Sequence, residues 1–190
     1  MTTTRLEAFS DGVLAIVITI MVLELKVPHG AGFADLKPVL PKFLSYIFSF
    51  IYVGIYWNNH HHMFHAIKKI NGKVLWANLL VLFCLSLLPF TTDWMGENLF
   101  AKNTVALYGF NLLACSLSFI LMERLAIQHE GGQSTYAKAV SSLRKERLSL
   151  TIYVVGTLLS FFLPIVSLVL FYIVAIMWVI PDTRIEKTLD

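Results

Sequence analysis

The stretch FSDGVLAIVITIMVLEL, residues 9–25, is an apolar run with a carboxylate, Asp11, close to its beginning. A helix of roughly 20 mostly apolar residues can cross a bilayer, so the stretch predicts a membrane-spanning helix over 6–26. A carboxylate at membrane depth is costly unless it faces the protein interior and finds a partner there. We therefore ask what holds Asp11, and what the smooth apolar face of the same helix contacts.

The composition of the whole chain is typical of a membrane protein. Of its 190 residues, 57% are hydrophobic and 14% are charged, with a mean hydropathy of +0.70. Soluble domains carry about 45–50% apolar and about 25% charged residues. Cys84 and Cys115 lie in apolar runs, which favours small buried side chains over a disulfide or a metal site. The net charge of +3 is too small to indicate nucleic-acid binding.

Six apolar segments are long enough, or nearly so, to span a membrane: 6–26, 40–66, 74–95, 103–127, 148–163 and 165–180. Pro164 separates the last two and favours a hairpin of two helices over one long kinked helix. The polar segment 128–147 is expected to be a loop. The sequence thus predicts an all-α integral membrane protein, with 1–190 as a single six-helix transmembrane domain.

The distribution of Lys and Arg predicts the orientation of these helices. With the N-terminus in the cytosol, four of the 15 Lys and Arg residues fall on the outer side: Lys26, Lys37, Lys42 and Lys102. Positive residues concentrate on the cytosolic side of membrane proteins, so we expect both termini in the cytosol. The beginning of the first helix, the end of the second and the beginning of the third then share one cytosolic-side layer.

The first helix has two different faces. At about 100° per residue, one third of its circumference is an aliphatic stripe with a single hydroxyl, made of Gly12, Ile16, Thr19, Ile20 and Leu23. By itself this stripe is typical of lipid contact or helix packing. Asp11 points about 140° away from Ile16, and we expect it to bond to neighbouring helices. Its candidate partners are Arg5, His60, His61, Trp76 and Asn78.

Three consecutive histidines, residues 60–62, end the second predicted helix, and His65 lies one turn beyond His61. Histidines at i and i+4 can chelate zinc, but no HExxH motif accompanies them. Hydrogen-bonding histidines near the membrane interface are the favoured interpretation, and pH sensing is a second one. The roles of His61, His62 and His65 stay open.

Motifs for catalysis and for conventional potassium channels are missing from the sequence. There is no G-x-S-x-G element, no glycine-rich phosphate loop and no pair of carboxylates on one helix face. We therefore expect no enzyme and no cofactor. The filter sequence TVGYG is absent, and the turn FFLPIVSL between the last two helices leaves no room for a re-entrant loop.

Three motifs in order resemble the transmembrane protein 175 family of cation channels. The family's Arg-x-x-x-Phe-Ser-Asp element on helix 1 is matched by RLEAFSD, residues 5–11. Its Trp-x-x-His-x-x-x-Phe pattern on helix 2 is matched by WNNHHHMF, residues 57–64, and helix 3 carries Asn78 followed by LPFT with Pro89. The resemblance covers all six helices in spacing and is specific in the first three.

The resemblance implies a potassium-permeable channel built as a homotetramer around its first helices. Because an aliphatic ring cannot replace the hydration shell of an ion, we expect modest selectivity for K⁺ over Na⁺. We also expect a location in the cell membrane and no bound metal. Carried over by position, the pore constriction falls on Ile16, Ile20 and Leu23, and Thr19 offers hydroxyls for selectivity. The remaining motif residues would form a structural network behind the pore: Arg5, Phe9, Ser10, Asp11, His60, Asn78 and, less directly, Trp76. The partners implied are further copies of the chain, the bilayer and permeant monovalent cations.

The alternative is a proton- or ion-coupled secondary transporter that uses Asp11 and His60 as titratable sites. Transporters usually carry inverted repeats and broken helices near the membrane midplane. In this sequence the polar cluster lies near one end of the spans and no repeat is evident.

Overall fold

A computed structural model describes residues 3–67, 70–131 and 144–179, and within these ranges the chain is helical with no strand. The elements are α1 (Thr3–Leu23), a short 3₁₀ helix (Phe33–Val39), α2 (Leu40–Ala66), α3 (Gly72–Ser86), α4 (Leu88–Glu97), α5 (Lys102–Glu130), α6 (Arg144–Leu159) and α7 (Pro164–Val179). Four stretches are long and apolar enough to cross a membrane: Thr3–Leu23, Phe33–Ala66, Gly72–Glu97 and Lys102–Glu130. The protein is therefore a multi-pass membrane protein.

The third predicted span, 74–95, is two helices rather than one. α3 ends at Ser86 and α4 begins at Leu88, with Leu87 between them at φ −84° and ψ −11°. Pro89 causes the break, because its nitrogen carries no hydrogen to donate to the preceding turn and its ring crowds the carbonyl four residues earlier. The two helices still form one candidate crossing, Gly72–Glu97, so the described helices correspond to the six segments expected, four of them long and apolar enough to span a membrane.

The hairpin expected at Pro164 is confirmed. Pro164 is the first residue of α7, where a missing N–H costs no helical hydrogen bond. Trp178 near the end of α7 donates its indole N–H to the hydroxyl of Ser149 near the beginning of α6, over 2.8 Å. The two helices therefore run antiparallel. The predicted loop 128–147 is shorter than expected at both ends, and 132–143 lie outside the described residues.

Phe171 of α7 packs at the centre of the group formed by α5, α6 and α7. It packs against Tyr108 of α5 and Tyr153 of α6, with ring centroids 6.4 and 6.2 Å away. Gly109 and Gly156 make room for it, since a Cβ at either position would clash with the Phe171 ring. This contact ties α5, α6 and α7 into one body.

α1 packs directly against α2, α3 and α4. Its buried positions are Leu6, Ser10, Leu14, Val17 and Met21. They recur every three or four residues, so they form one stripe along the helix. α1 is thus packed on one side and left open on the other.

Candidate pore helix and its polar support

The open side of α1 is the aliphatic stripe identified in the sequence. Ile16 is 60% exposed, Ile20 42% and Leu23 74%, and Gly12 and Thr19 are exposed as well. The stripe faces away from the other helices that the structure describes. Thr19 donates its hydroxyl hydrogen to the carbonyl of Ala15 over 2.8 Å, which leaves the lone pairs of the Thr19 oxygen directed outward.

The Phe-Ser-Asp motif sends its three side chains in three directions. Ser10 is completely buried, whereas Phe9 is 51% exposed. Phe9 precedes Ile16 by seven residues, so it lies within about 20° of Ile16 around the helix. The structure therefore places Phe9 on the exposed stripe and separates it from the polar contacts of its two neighbours.

Ser10 belongs to a buried network of neutral groups that joins three helices. Asn78 of α3 donates its amide hydrogen to the Ser10 hydroxyl over 3.0 Å. The amide oxygen of Asn78 lies 2.8 Å from Nε2 of His60 on α2, and His60 and Asn78 are both buried. The Ser10 hydroxyl also donates to the carbonyl of Leu6 over 2.9 Å. These bonds connect α1, α2 and α3 at one level.

Asp11 has a partner that was not among those expected. The indole nitrogen of Trp57 on α2 donates to Oδ1 of Asp11 over 3.0 Å, in an exposed position. The sequence motif contained Trp57, but the candidate partners of Asp11 omitted it. The signal was present, since Trp57 lies one turn before His60 and so belongs to the same layer.

Arg5 and Trp76 do not join this network. Arg5 is exposed at the beginning of α1. Trp76 is 75% exposed, and it precedes Asn78 by two residues, so it points to nearly the opposite side of α3. The structure thus brings together Ser10, Asn78 and His60, and leaves these two residues at the surface.

The additional histidines form a second contact with α1. Nδ1 of His61 lies 2.6 Å from a carboxylate oxygen of Glu7, and the ring of His61 stacks at 6.0 Å on that of His65. Within 3–67, 70–131 and 144–179, no group of three or more His, Cys, Asp or Glu is placed to hold a metal ion. Glu7 was missed in the sequence, although it lies one turn before Asp11.

The opposite end of the bundle carries charged rather than neutral contacts. Lys42 of α2 lies 2.8 Å from a carboxylate oxygen of Asp93 and 3.3 Å from one of Glu97, both on α4. Deeper along the same helices, the hydroxyl of Ser49 lies 2.6 Å from that of Thr92. The sequence did not lead us to expect this contact between α2 and α4, although the predicted topology puts the charged residues of both helices on the same side of the membrane.

Comparisons with known proteins match this architecture. Residues 5–89 match the family model described as endosomal/lysosomal potassium channel TMEM175. A potassium channel of Chryseobacterium sp. (strain P1-3) is 56% identical over 189 residues, covering 100% of this chain and 98% of the relative. This chain belongs to the TMEM175 family. TMEM175 proteins are ion channels, so the protein is not an enzyme.

Other TMEM175 relatives share less of the sequence. A potassium channel of Streptomyces collinus is 35% identical over 60% of each chain. The human endosomal/lysosomal proton channel TMEM175 is 37% identical over 45% of this chain and 19% of its own length. The crystal structure of a lysosomal potassium-selective channel TMEM175 homolog from Chamaesiphon minutus superposes with a TM-score of 0.77 at 29% identity, covering 95% of this chain and 97% of that one.

Proposed function

We propose that this TMEM175 protein is a potassium-permeable channel, a homotetramer in which four copies of α1 surround the pore. The observation that carries the proposal is the exposed stripe of α1, which is aliphatic, continuous and turned away from its own chain. The potassium-channel relatives supply the permeant ion. Residues 1–190 act in this proposal as one transmembrane channel domain.

A single α1 cannot enclose a pore, so further copies are required. Cyclic symmetry closes a ring when each copy presents the same surface to the next. Small exposed residues form one edge of the stripe, with Gly12 and Thr19 in the stripe itself and Ala8 and Ala15 directly beside it. Small residues spaced by four allow membrane helices to approach closely, which supports α1–α1 packing around an axis.

The constriction is formed in this proposal by rings of Ile16, Ile20 and Leu23. Aliphatic side chains cannot replace the hydration shell of an ion, and a narrow hydrophobic ring gates by dewetting. Ions therefore pass while still partly hydrated, which gives modest selectivity for K⁺ over Na⁺. Thr19 supplies the polar ring, because its oxygen lone pairs remain available after its hydrogen is donated to Ala15.

The polar network sets the rotation of α1 behind the pore. Ser10, Asn78 and His60 hold one side of the helix against α2 and α3, and Asp11 is steadied by Trp57. Phe9 continues the stripe at its cytosolic end. Arg5 and Trp76 lie at the surface and take no part in the network.

We place the protein in the cell membrane with both termini in the cytosol, from the Lys and Arg distribution. In that orientation the neutral network lies near the cytosolic side, and Lys42, Asp93 and Glu97 lie at the outer mouth. The transporter alternative has less support, since Asp11 and His60 are engaged in separate contacts and no titratable group lies on the exposed stripe.

Reconstitution in liposomes tests the proposal. Purified protein in vesicles loaded with K⁺ should give fast flux down the gradient, independent of a proton gradient, and single-channel currents in planar bilayers. Empty vesicles are the blank. Flux that appears only with a proton gradient, in a fixed ratio to proton movement, would contradict a channel and favour the carrier.

A further inference from the structure

A groove between α3 and α5 lies on the outside of the helix bundle. Its volume is about 690 Å³, within the size range of small-molecule sites. One end is polar and begins at the first turn of α3, with Lys73 and Trp76. The rest of the lining is apolar and includes Ala77, Leu80, Leu121 and Leu125.

The groove is long enough for part of an extended hydrocarbon chain. Lys73 and Leu80 are seven residues apart on α3, which is about 10 Å along the helix axis. Leu80 and Leu121 are both more than 40% exposed, so the apolar wall is open to the outside of the helix bundle. A charged end followed by an open apolar wall has the polarity of a phospholipid.

Lys73 is available for an anionic group. It is exposed, and among the residues that the structure describes no carboxylate lies within ion-pair distance of its ammonium group. In the sequence, Lys68 and Lys69 precede it by five and four residues, so the segment is basic as a whole. Basic segments beside membrane helices on the cytosolic side attract anionic lipids.

We infer that this groove binds an anionic phospholipid of the cytosolic leaflet. Lys73 binds the headgroup phosphate, one acyl chain lies along Leu80, Leu121 and Leu125, and the ring of Trp76 lies at headgroup level. Tryptophan is enriched at that level of the bilayer. The inference takes from the proposed function only the orientation of the chain.

A second copy of the chain fits this groove less well. Membrane helices that pack on one another present small residues at the contact. The apolar wall here is formed by three leucines and Ala77, with Trp76 and Lys73 toward the polar end, where Gly72 also lies. Bulky leucines below a tryptophan and a lysine are the combination expected for a lipid contact.

Native mass spectrometry of the intact assembly tests the site. The delipidated protein is mixed with phosphatidylglycerol or with phosphatidylcholine of the same acyl chains. We expect phosphatidylglycerol to be retained preferentially, and Lys73→Gln to reduce that preference about five-fold, the effect of one lysine near a charged membrane surface. Lys102→Gln, at the opposite end of α5, should leave the preference unchanged.

Leu121→Trp tests the apolar wall of the groove separately from the charge of Lys73. Filling the groove should reduce retention of both lipids, with the oligomer intact in the same spectra. Equal retention by the parent protein, Lys73→Gln and Leu121→Trp would overturn the site. If these two variants instead dissociate the oligomer while lipid retention per chain is unchanged, the groove is a contact between copies.

The channel proposal is measured apart from the lipid site. Potassium flux of the parent protein in phosphatidylcholine vesicles reports on the channel, and the mass spectra report on lipid. Absent flux with selective retention of phosphatidylglycerol would refute only the proposed function.

Discussion

Both sides of α1 are apolar, yet one side is packed against the rest of the chain and the other is exposed. One side carries Leu14, Val17 and Met21, each no more than 3% exposed, against α2, α3 and α4. The other carries Ile16 and Leu23, which are 60% and 74% exposed. Hydropathy cannot distinguish these sides, because packing, lipid and a hydrophobic pore all favour aliphatic residues in a membrane helix.

What distinguishes the sides is a buried hydroxyl on the packed one. Ser10 is completely buried and accepts a hydrogen bond from the amide of Asn78, and a rotation of α1 by one residue, about 100°, would remove it from that partner. The buried Asn78 amide would then lack its acceptor, and an unpaired polar group in a membrane interior costs several kcal/mol. The neutral network therefore sets which side of α1 is exposed, and the predictions below test each side in turn.

The largest effect is expected from Asn78→Leu on the packed side. The change removes the partner of the His60 ring, at a cost of about 1–3 kcal/mol for the buried nitrogen left unpaired, and it removes the bond between α3 and Ser10, which keeps only its bond to the Leu6 carbonyl. We expect loss of folded protein, measured as a lower yield of the assembled form in size-exclusion chromatography and a lower melting temperature.

Asn103→Leu is the matched control, since Asn103 is exposed in the first turn of α5. It should leave yield and melting temperature near those of the parent. Equal stability of the two variants would mean that the network does not fix α1.

Gly12→Leu tests the exposed side for contact with another copy. Beyond the adjacent backbone of α1, a Cβ at Gly12 would meet no atom of the described residues within 4 Å, so the protomer can accept the larger side chain. If α1 helices pack on one another there, the tetramer cannot. We expect most of the protein to shift to smaller species when mass is measured by light scattering.

Gly54→Leu provides a comparison, because a Cβ at Gly54 on α2 also meets nothing within 4 Å. That variant should keep the parent's mass. A Gly12→Leu protein that remains tetrameric would exclude close α1–α1 packing at this position.

Ile16→Asn should raise ion flux by wetting the constriction. An increase of at least about ten-fold is expected, equivalent to lowering the barrier by about 1.4 kcal/mol. The measurement is potassium flux from liposomes, supported by single-channel current. Val22→Asn introduces the same amide on exposed α1 surface about 120° away, and it should not increase flux. Unchanged current in Ile16→Asn would remove Ile16 from the constriction.

The sequence predicted the six helical segments and the hairpin at Pro164, because long apolar runs and a proline between them act locally. It did not predict the partner of Asp11 or the break at Leu87. The layer containing Asp11 follows from topology, but the choice of Trp57 over His61 depends on helix rotation and crossing, which no local pattern specifies. Pro89 was visible, yet prolines in membrane helices are also accommodated without a break.

Asp11→Asn and Asp11→Ala together test the exposed bond to Trp57. Asparagine keeps an oxygen that can accept the indole hydrogen, whereas alanine removes it. We expect Asp11→Ala to lower the melting temperature of the assembled protein modestly, in line with about 1 kcal/mol for an exposed hydrogen bond to a charged group, and Asp11→Asn to lower it less. Equal melting temperatures for both variants and the parent would show that this bond contributes nothing to stability. Altered ion selectivity with a normal tetramer would move Asp11 into the ion path.

The smallest effect is expected at Thr19, where the substitutions test whether a single oxygen on the exposed side contributes to ion selectivity. Thr19→Val keeps the shape of the side chain and removes the oxygen, while Thr19→Ser keeps the oxygen and removes a methyl group. If the oxygen contacts ions or their water, the valine variant should lose about two- to five-fold in permeability of K⁺ relative to Na⁺, comparable to one weak hydrogen bond of about 0.5–1 kcal/mol. The serine variant should keep the parent's ratio. Reversal potentials under bi-ionic conditions measure both. The two substitutions change the side-chain volume in different ways, but only Thr19→Val removes the oxygen. Identical shifts of the reversal potential in both variants would therefore trace selectivity to pore width. No shift in either variant would assign selectivity to the aliphatic rings alone.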